Sequence, residues 1–167
     1  MSTNVRAMAC DPQDVFDVLA DGWLFPVWVV GASRMRDVDV NWPQVGASLK
    51  HSFGVWPALI NDETVVEEWD PPRRMTMRPK GWPIGEARVE IDVKPRDGGC
   101  VVRIREHAVR GPGRFVPAPI MDLGLSARNI ETLRRLAFVA EGRSENGEHT
   151  EQAGNPEKNT NTTEEQS

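Results

Sequence analysis

The chain has 167 residues, a formal net charge of −5 and 27% charged residues, a composition that suits one globular domain plus a segment that does not fold. Four of the five net negative charges fall after residue 141, where Glu145, Glu148, Glu151, Glu157, Glu164 and Glu165 face only Arg143 and Lys158. The nearly neutral body has no basic patch from which counterion release could drive phosphate binding, which argues against nucleic acid as a partner.

The N-terminus "MSTNVRAMACDPQDVF" has no basic stretch followed by an apolar core. The most apolar run, "WLFPVWVVGA" at 23–32, is short and interrupted by Pro26, so the expectation is a cytoplasmic protein without membrane insertion. Strand residues open the chain around Asn4–Ala9. Asp11 before Pro12 then reads as an N-cap with proline in the first turn, and Val15, Phe16 and Leu19 recur at helical spacing up to about Gly22. "GWLFPVWVVGAS" predicts a second short helix, broken at its proline.

From residue 33 the hydrophobic period changes to two. "SRMRDVDV" (33–40), "ASLKHSFGVW" (47–56), "ETVVEEW" (63–69), "RMTMRP" (74–79), "EARVEIDV" (86–93) and "CVVRIREHAV" (100–109) each read as a strand, with short Pro- and Gly-containing turns between them. Six such strands in succession predict an antiparallel meander. The last element, "APIMDLGLSARNIETLRRLAFVAEG", places Ile130, Leu133, Leu136 or Ala137, and Ala140 on one helical stripe with Arg128, Glu131, Arg134 and Arg135 away from it, and Gly142 as its C-terminal stop. The stripe needs a surface to cover, and the concave side of the twisted sheet is the one on offer. Beyond it, residues 142–167 hold almost nothing apolar and are expected to be a disordered acidic tail; deleting residues 144–167 is expected to leave the melting temperature almost unchanged.

This order, together with the aromatic "GWLFPVWVVGAS", the turn Trp42–Gly46, "HSFGVWP" at 51–57, "WPIGEARVEI" at 82–91 and "RNIETLRRL" at 128–136, resembles the helix-grip fold of the polyketide cyclase/dehydrase and START-like superfamily, often written SRPBCC. The implied fold is α+β: a curved antiparallel sheet wrapped around a long C-terminal helix, with two short helices near the N-terminus, over roughly residues 3–141. The resemblance further implies a cavity between sheet and helix that binds an apolar or aromatic small molecule, polyketide-, lipid- or quinone-like. The alternative it implies is a cofactor-independent cyclase or aromatase. Cavity-mouth segments would be "GVWPALIND", "KGWPIGE" and "RGPGRFVPAPIMD". The expected lining is Trp28, Phe53, Trp56, Met75, Met77, Trp82, Phe115 and Met121. Trp56 and Trp82 sit in loops before prolines, and the methionines supply a deformable surface.

Two polar residues interrupt apolar phases. Cys100, Val102, Ile104 and Ala108 share their side of a strand with Glu106, and Leu49, Phe53 and Val55 share theirs with His51. A carboxylate and an imidazole both turned inward would suit a general acid/base pair acting beside a carbonyl. Plainer readings stand beside this one: Glu106 turned to water or paired with Arg103 or Arg105, and His51 satisfied within the core. Cys10 and Cys100, without C-x-x-C spacing, read as two buried thiols in a reducing compartment. Histidines at 51, 107 and 149 complete no ligand cluster, and no phosphate-binding glycine motif or G-x-S-x-G occurs. Neither metal nor cofactor is therefore expected.

Overall fold

The computed structural model describes residues 2–54, 57, 59–80, 85–110 and 118–153. Seven strands, β1 (Ser2–Met8), β2 (Ala32–Val38), β3 (Ser48–Phe53), β4 (Ile60–Asp70), β5 (Arg74–Pro79), β6 (Glu86–Arg96) and β7 (Gly99–Arg110), form one antiparallel sheet in the order β1-β7-β6-β5-β4-β3-β2. The six-strand meander is thus continuous, and β1 closes its far edge by pairing with β7. Helices α1 (Pro12–Ala20) and α2 (Phe25–Trp28), with a 3₁₀ turn at Gly22–Leu24 between them, bridge β1 to β2 at the opposite edge. The long helix α3 (Ala118–Ala153) lies against β1, α1, α2 and β7. This is the expected helix-grip architecture.

Local chemistry explains the joints. At the start of α1, Pro12 follows Asp11, and the Asp14 carboxylate accepts the Asp11 N–H at 2.9 Å, satisfying a donor that the helix cannot. The indole of Trp42 donates to the carbonyl of Leu19 at 3.2 Å, which ties the β2–β3 turn to α1. Between β6 and β7, Gly99 adopts φ +137°, and a Cβ there would lie 2.1 Å from the carbonyl oxygen of Met8, so the hairpin and β1 can meet only over a glycine.

Alternation sorts the two faces. Leu49, Val66, Met75, Met77, Ile91, Val93, Val102 and Ile104 are buried on the inner one. On the outer one, Asp92 accepts from Arg74 (2.7 Å), Arg103 (2.9 Å) and Arg105 (2.9 Å), while Arg105 also reaches Glu90. Burial alone would push the Asp92 carboxyl up, but the hydrogen bonds and charges of these arginines carry it below the usual carboxylate range. Cys10 and Cys100 are both buried free thiols.

Three expectations are corrected for α3. It does not stop at Gly142 but continues to Ala153, because one glycine costs a helix only about 1 kcal/mol and no proline follows until Pro156. Ile130 is not on the covered stripe: it is 57% exposed, and the buried positions of α3 among the described residues are Asn129, Thr132, Leu133, Leu136, Ala137 and Ala140. Arg128 is not turned away, since it pairs with Glu106. Residues 154–167 of the expected tail lie outside the described residues.

Candidate functional site

Two polar stations interrupt the inner face. The first is built on β3 and β4, where His51 stands opposite Asp62 and Leu49 opposite Thr64. Strand alternation therefore turns Leu49, His51, Asp62, Thr64 and Val66 to the same side. His51 is fully buried. Its Nε2 lies 2.9 Å from the hydroxyl oxygen of Thr64 and 3.8 Å from Oδ2 of Asp62, whereas its Nδ1 has no hydrogen-bond partner among the described residues. The ring is held by apolar neighbours: Phe25 and Phe53 both have ring centroids 4.9 Å away, the latter edge-on, and Trp28 packs edge-on against Phe25 at 5.4 Å.

Burial pushes the His51 pKa down to about 4; Asp62 opposes the shift and Arg36 reinforces it. Arg36 sits on the edge strand β2 and donates to the backbone carbonyls of His51 (3.4 Å) and Asp62 (3.1 Å), fastening the two strands beneath the imidazole. At neutral pH the imidazole is uncharged, with Nε2 engaged and Nδ1 unpartnered among the described residues.

The second station lies at the other end of the sheet, where β1 and β7 meet α3. Glu106 is buried opposite Val89 of β6 and Ser2 of β1, and Arg128 of α3 donates to its carboxylate. Beside it the Asn4 side chain donates to Ser126 at 2.9 Å and accepts from Ser2 at 3.0 Å. One and two turns along α3, Asn129 is buried with its Nδ2 unpartnered among the described residues, and Thr132 accepts from the Val30 N–H at 3.3 Å. The inward stripe of α3 is thus polar over Ser126, Asn129 and Thr132 and apolar from Leu133 to Ala140.

Glu106 does point with the apolar phase of its strand, but neither plainer partner expected for it is the one found. Arg103 and Arg105 project from the opposite face to Asp92 and Glu90, because alternation puts odd-numbered residues of β7 outward. His51 and Glu106 are separated in the sheet by β4, β5 and β6, and each is bonded to its own partner. Of the expected lining, Trp28 and Phe53 join the aromatic cluster around His51, and Met75 and Met77 are buried on the inner face of β5. Trp56, Trp82 and Phe115 lie outside the described residues; Met121 falls in α3, with its side chain outside them.

Phe25, Asp62, Thr64, Arg128 and Asn129 are contributors that the sequence reading missed. A period of two carried upstream from Val66 reaches both Thr64, inside the expected strand 63–69, and Asp62, one residue before it in a strand that starts at Ile60. Two surface hollows, of about 490 Å³ beside Trp23 and Trp42 and about 630 Å³ along Asp39–Ala47, involve neither station.

Comparison with known proteins agrees with the architecture. Protein CV1439 from Chromobacterium violaceum superposes with a TM-score of 0.63 at 16% identity, covering 83% of this chain and 96% of its own. The di-domain ARO/CYC StfQ from the steffimycin biosynthetic pathway gives 0.68 at 15% identity, covering 86% of this chain and 51% of StfQ. Ara h 8.0201 gives 0.61 at 11% identity, covering 86% and 96%. At such identities the likeness is one of fold. No curated protein matches the chain in sequence. The model of the family described as "Polyketide cyclase / dehydrase and lipid transport" matches residues 2–141, and the chain belongs to that family.

Proposed function

We propose that this member of the polyketide cyclase/dehydrase and lipid transport family binds an apolar or aromatic small molecule between the inner face of the sheet and α3. The observation that carries the reading is His51: a fully buried, uncharged imidazole, walled by phenyl rings, whose Nδ1 has no partner among the described residues. Buried polar atoms are ordinarily bonded, and one left open in an aromatic setting is what a ligand with a single directional contact would use. The polar half of α3 and the Glu106–Arg128 pair supply further directional groups around an apolar interior.

Catalysis is the second reading, and the oxygen groups of Thr64 and Asp62 behind the His51 ring favour it. In that case His51 is the base. Glu106, already engaged by Arg128 and with three strands between it and His51, acts on a different part of the substrate rather than on the imidazole. The test is a panel of lipids, quinones and polyketides titrated into purified protein while tryptophan emission is followed. Saturable one-to-one quenching with mutual displacement is expected; no binding across the panel would remove the proposal. With a ligand in hand, His51→Ala and Glu106→Gln separate the two readings. An enzyme loses turnover by about 10²-fold or more while keeping affinity, and a carrier has no turnover to lose.

A further inference from the structure

The two nitrogens of His51 are not equivalent. Nε2 faces two oxygens, Thr64 Oγ1 at 2.9 Å and Asp62 Oδ2 at 3.8 Å, and Nδ1 faces none among the described residues. A proton on Nε2 has a hydroxyl oxygen to accept it and a carboxylate beyond to favour it. On Nδ1 the same proton would be a buried donor without an acceptor, and bare Nε2 would turn a lone pair towards the Asp62 carboxylate. From this geometry we infer that His51 is held as the Nε2–H tautomer, with Thr64 and Asp62 as positioning residues, so that Nδ1 presents a bare lone pair to the ligand.

The inference rests on the binding reading above and narrows it to a chemical class. A molecule seated against Nδ1 must bring a donor: a phenol or enol O–H fits, whereas a ketone, ether or ester oxygen would set two acceptors against each other. Phe25 and Phe53, flanking the ring at 4.9 Å, suit a flat carrier for that donor. The site therefore selects hydroxyarenes and enolised poly-ketones over their O-alkylated or fully ketonic counterparts.

Two measurements test this. Long-range ¹H–¹⁵N correlation spectra of the ¹⁵N-labelled full chain at neutral pH are expected to show Nε2 protonated and Nδ1 bare for His51; the reverse assignment overturns the inference without any variant being made. In parallel, 2-naphthol and 2-methoxynaphthalene are titrated against the wild type, where the naphthol is expected to bind about tenfold tighter, as one added hydrogen bond to a buried acceptor gives. Thr64→Val, which keeps the shape and removes the Nε2 partner, is expected to narrow that preference, and His51→Phe to abolish it. Equal binding of the two probes by the wild type overturns the inferred selection of a donor ligand by Nδ1 and leaves the binding reading intact. Failure of both probes, and of every member of the wider panel, overturns both.

Discussion

Acidification should report on His51 directly. The folded imidazole takes up its proton only near pH 4, against an ordinary value of 6.5, so between those values the unfolded chain binds more protons than the native one and stability rises with pH. Lowering the pH through this window therefore weakens the fold. The loss reaches about 2 kcal/mol by pH 5 and about 3 kcal/mol by pH 4, taking about 1.4 kcal/mol for each tenfold difference in proton affinity. The charged groups nearest the ring, Asp62 and Arg36, act in opposite senses, and burial decides the sign. Urea unfolding followed by tryptophan fluorescence at pH 7 and pH 5 measures the change. The comparison is His51→Gln, which can still bond to Thr64 but does not titrate; His107 and His149 remain in both proteins, so their contributions cancel. Wild type should lose about 2 kcal/mol more than the variant over that interval. Parallel losses in the two proteins would show that His51 is solvated or already charged, and the reasoning about its open nitrogen would fall with it.

Gly99→Ala should destabilise by several kcal/mol, since it combines φ +137° with a Cβ placed 2.1 Å from the Met8 carbonyl; a denaturation midpoint within error of wild type would contradict the packing of β1 on the β6–β7 hairpin. Glu106→Gln should cost about 1–3 kcal/mol by leaving Arg128, whose side chain is 32% exposed, without its counter-charge; urea titration is the check, and no loss would mean that Arg128 is satisfied by water. Removing residues 154–167, which contain no aromatic residue and no Ala, Val, Leu, Ile or Met, should leave the melting temperature within about 2 °C of wild type by calorimetry, and a larger drop would show that this segment packs.

Much of the fold was legible because strands and turns carry their signals locally. β5 matches its expected bounds at both ends, and β7 differs by a single residue at each, since a period of two between glycine- or proline-marked turns leaves little freedom. The helix was less legible for an energetic reason. A stripe is recognised by its hydropathy, but the covered side of α3 includes half-buried Ser126 and buried Asn129 and Thr132, while apolar Ile130 and Phe138 stand in water. Tertiary partners decide which residues are covered: Asn4 for Ser126, the Val30 N–H for Thr132, Glu106 for Arg128. None of these partners is near α3 in the chain.

The same reasoning explains why the strand intruders could be found and their partners could not. A polar residue that breaks an alternating phase declares its direction at once, so His51 and Glu106 were visible as inward groups from a few neighbouring residues. What it bonds to depends on register and on which helix crosses above it. Asp62 and Thr64 come to His51 through the β3–β4 register, one strand away, whereas Arg128 comes to Glu106 from a separate element packed over β7. Alternation thus identifies groups that need a partner, and the residual need after folding is the functional signal. Glu106 has its need met by an arginine, while His51, among phenyl rings, keeps a nitrogen with no partner among the described residues. Of the two residues that stood out equally in sequence, His51 is therefore the one on which the proposed ligand binding rests.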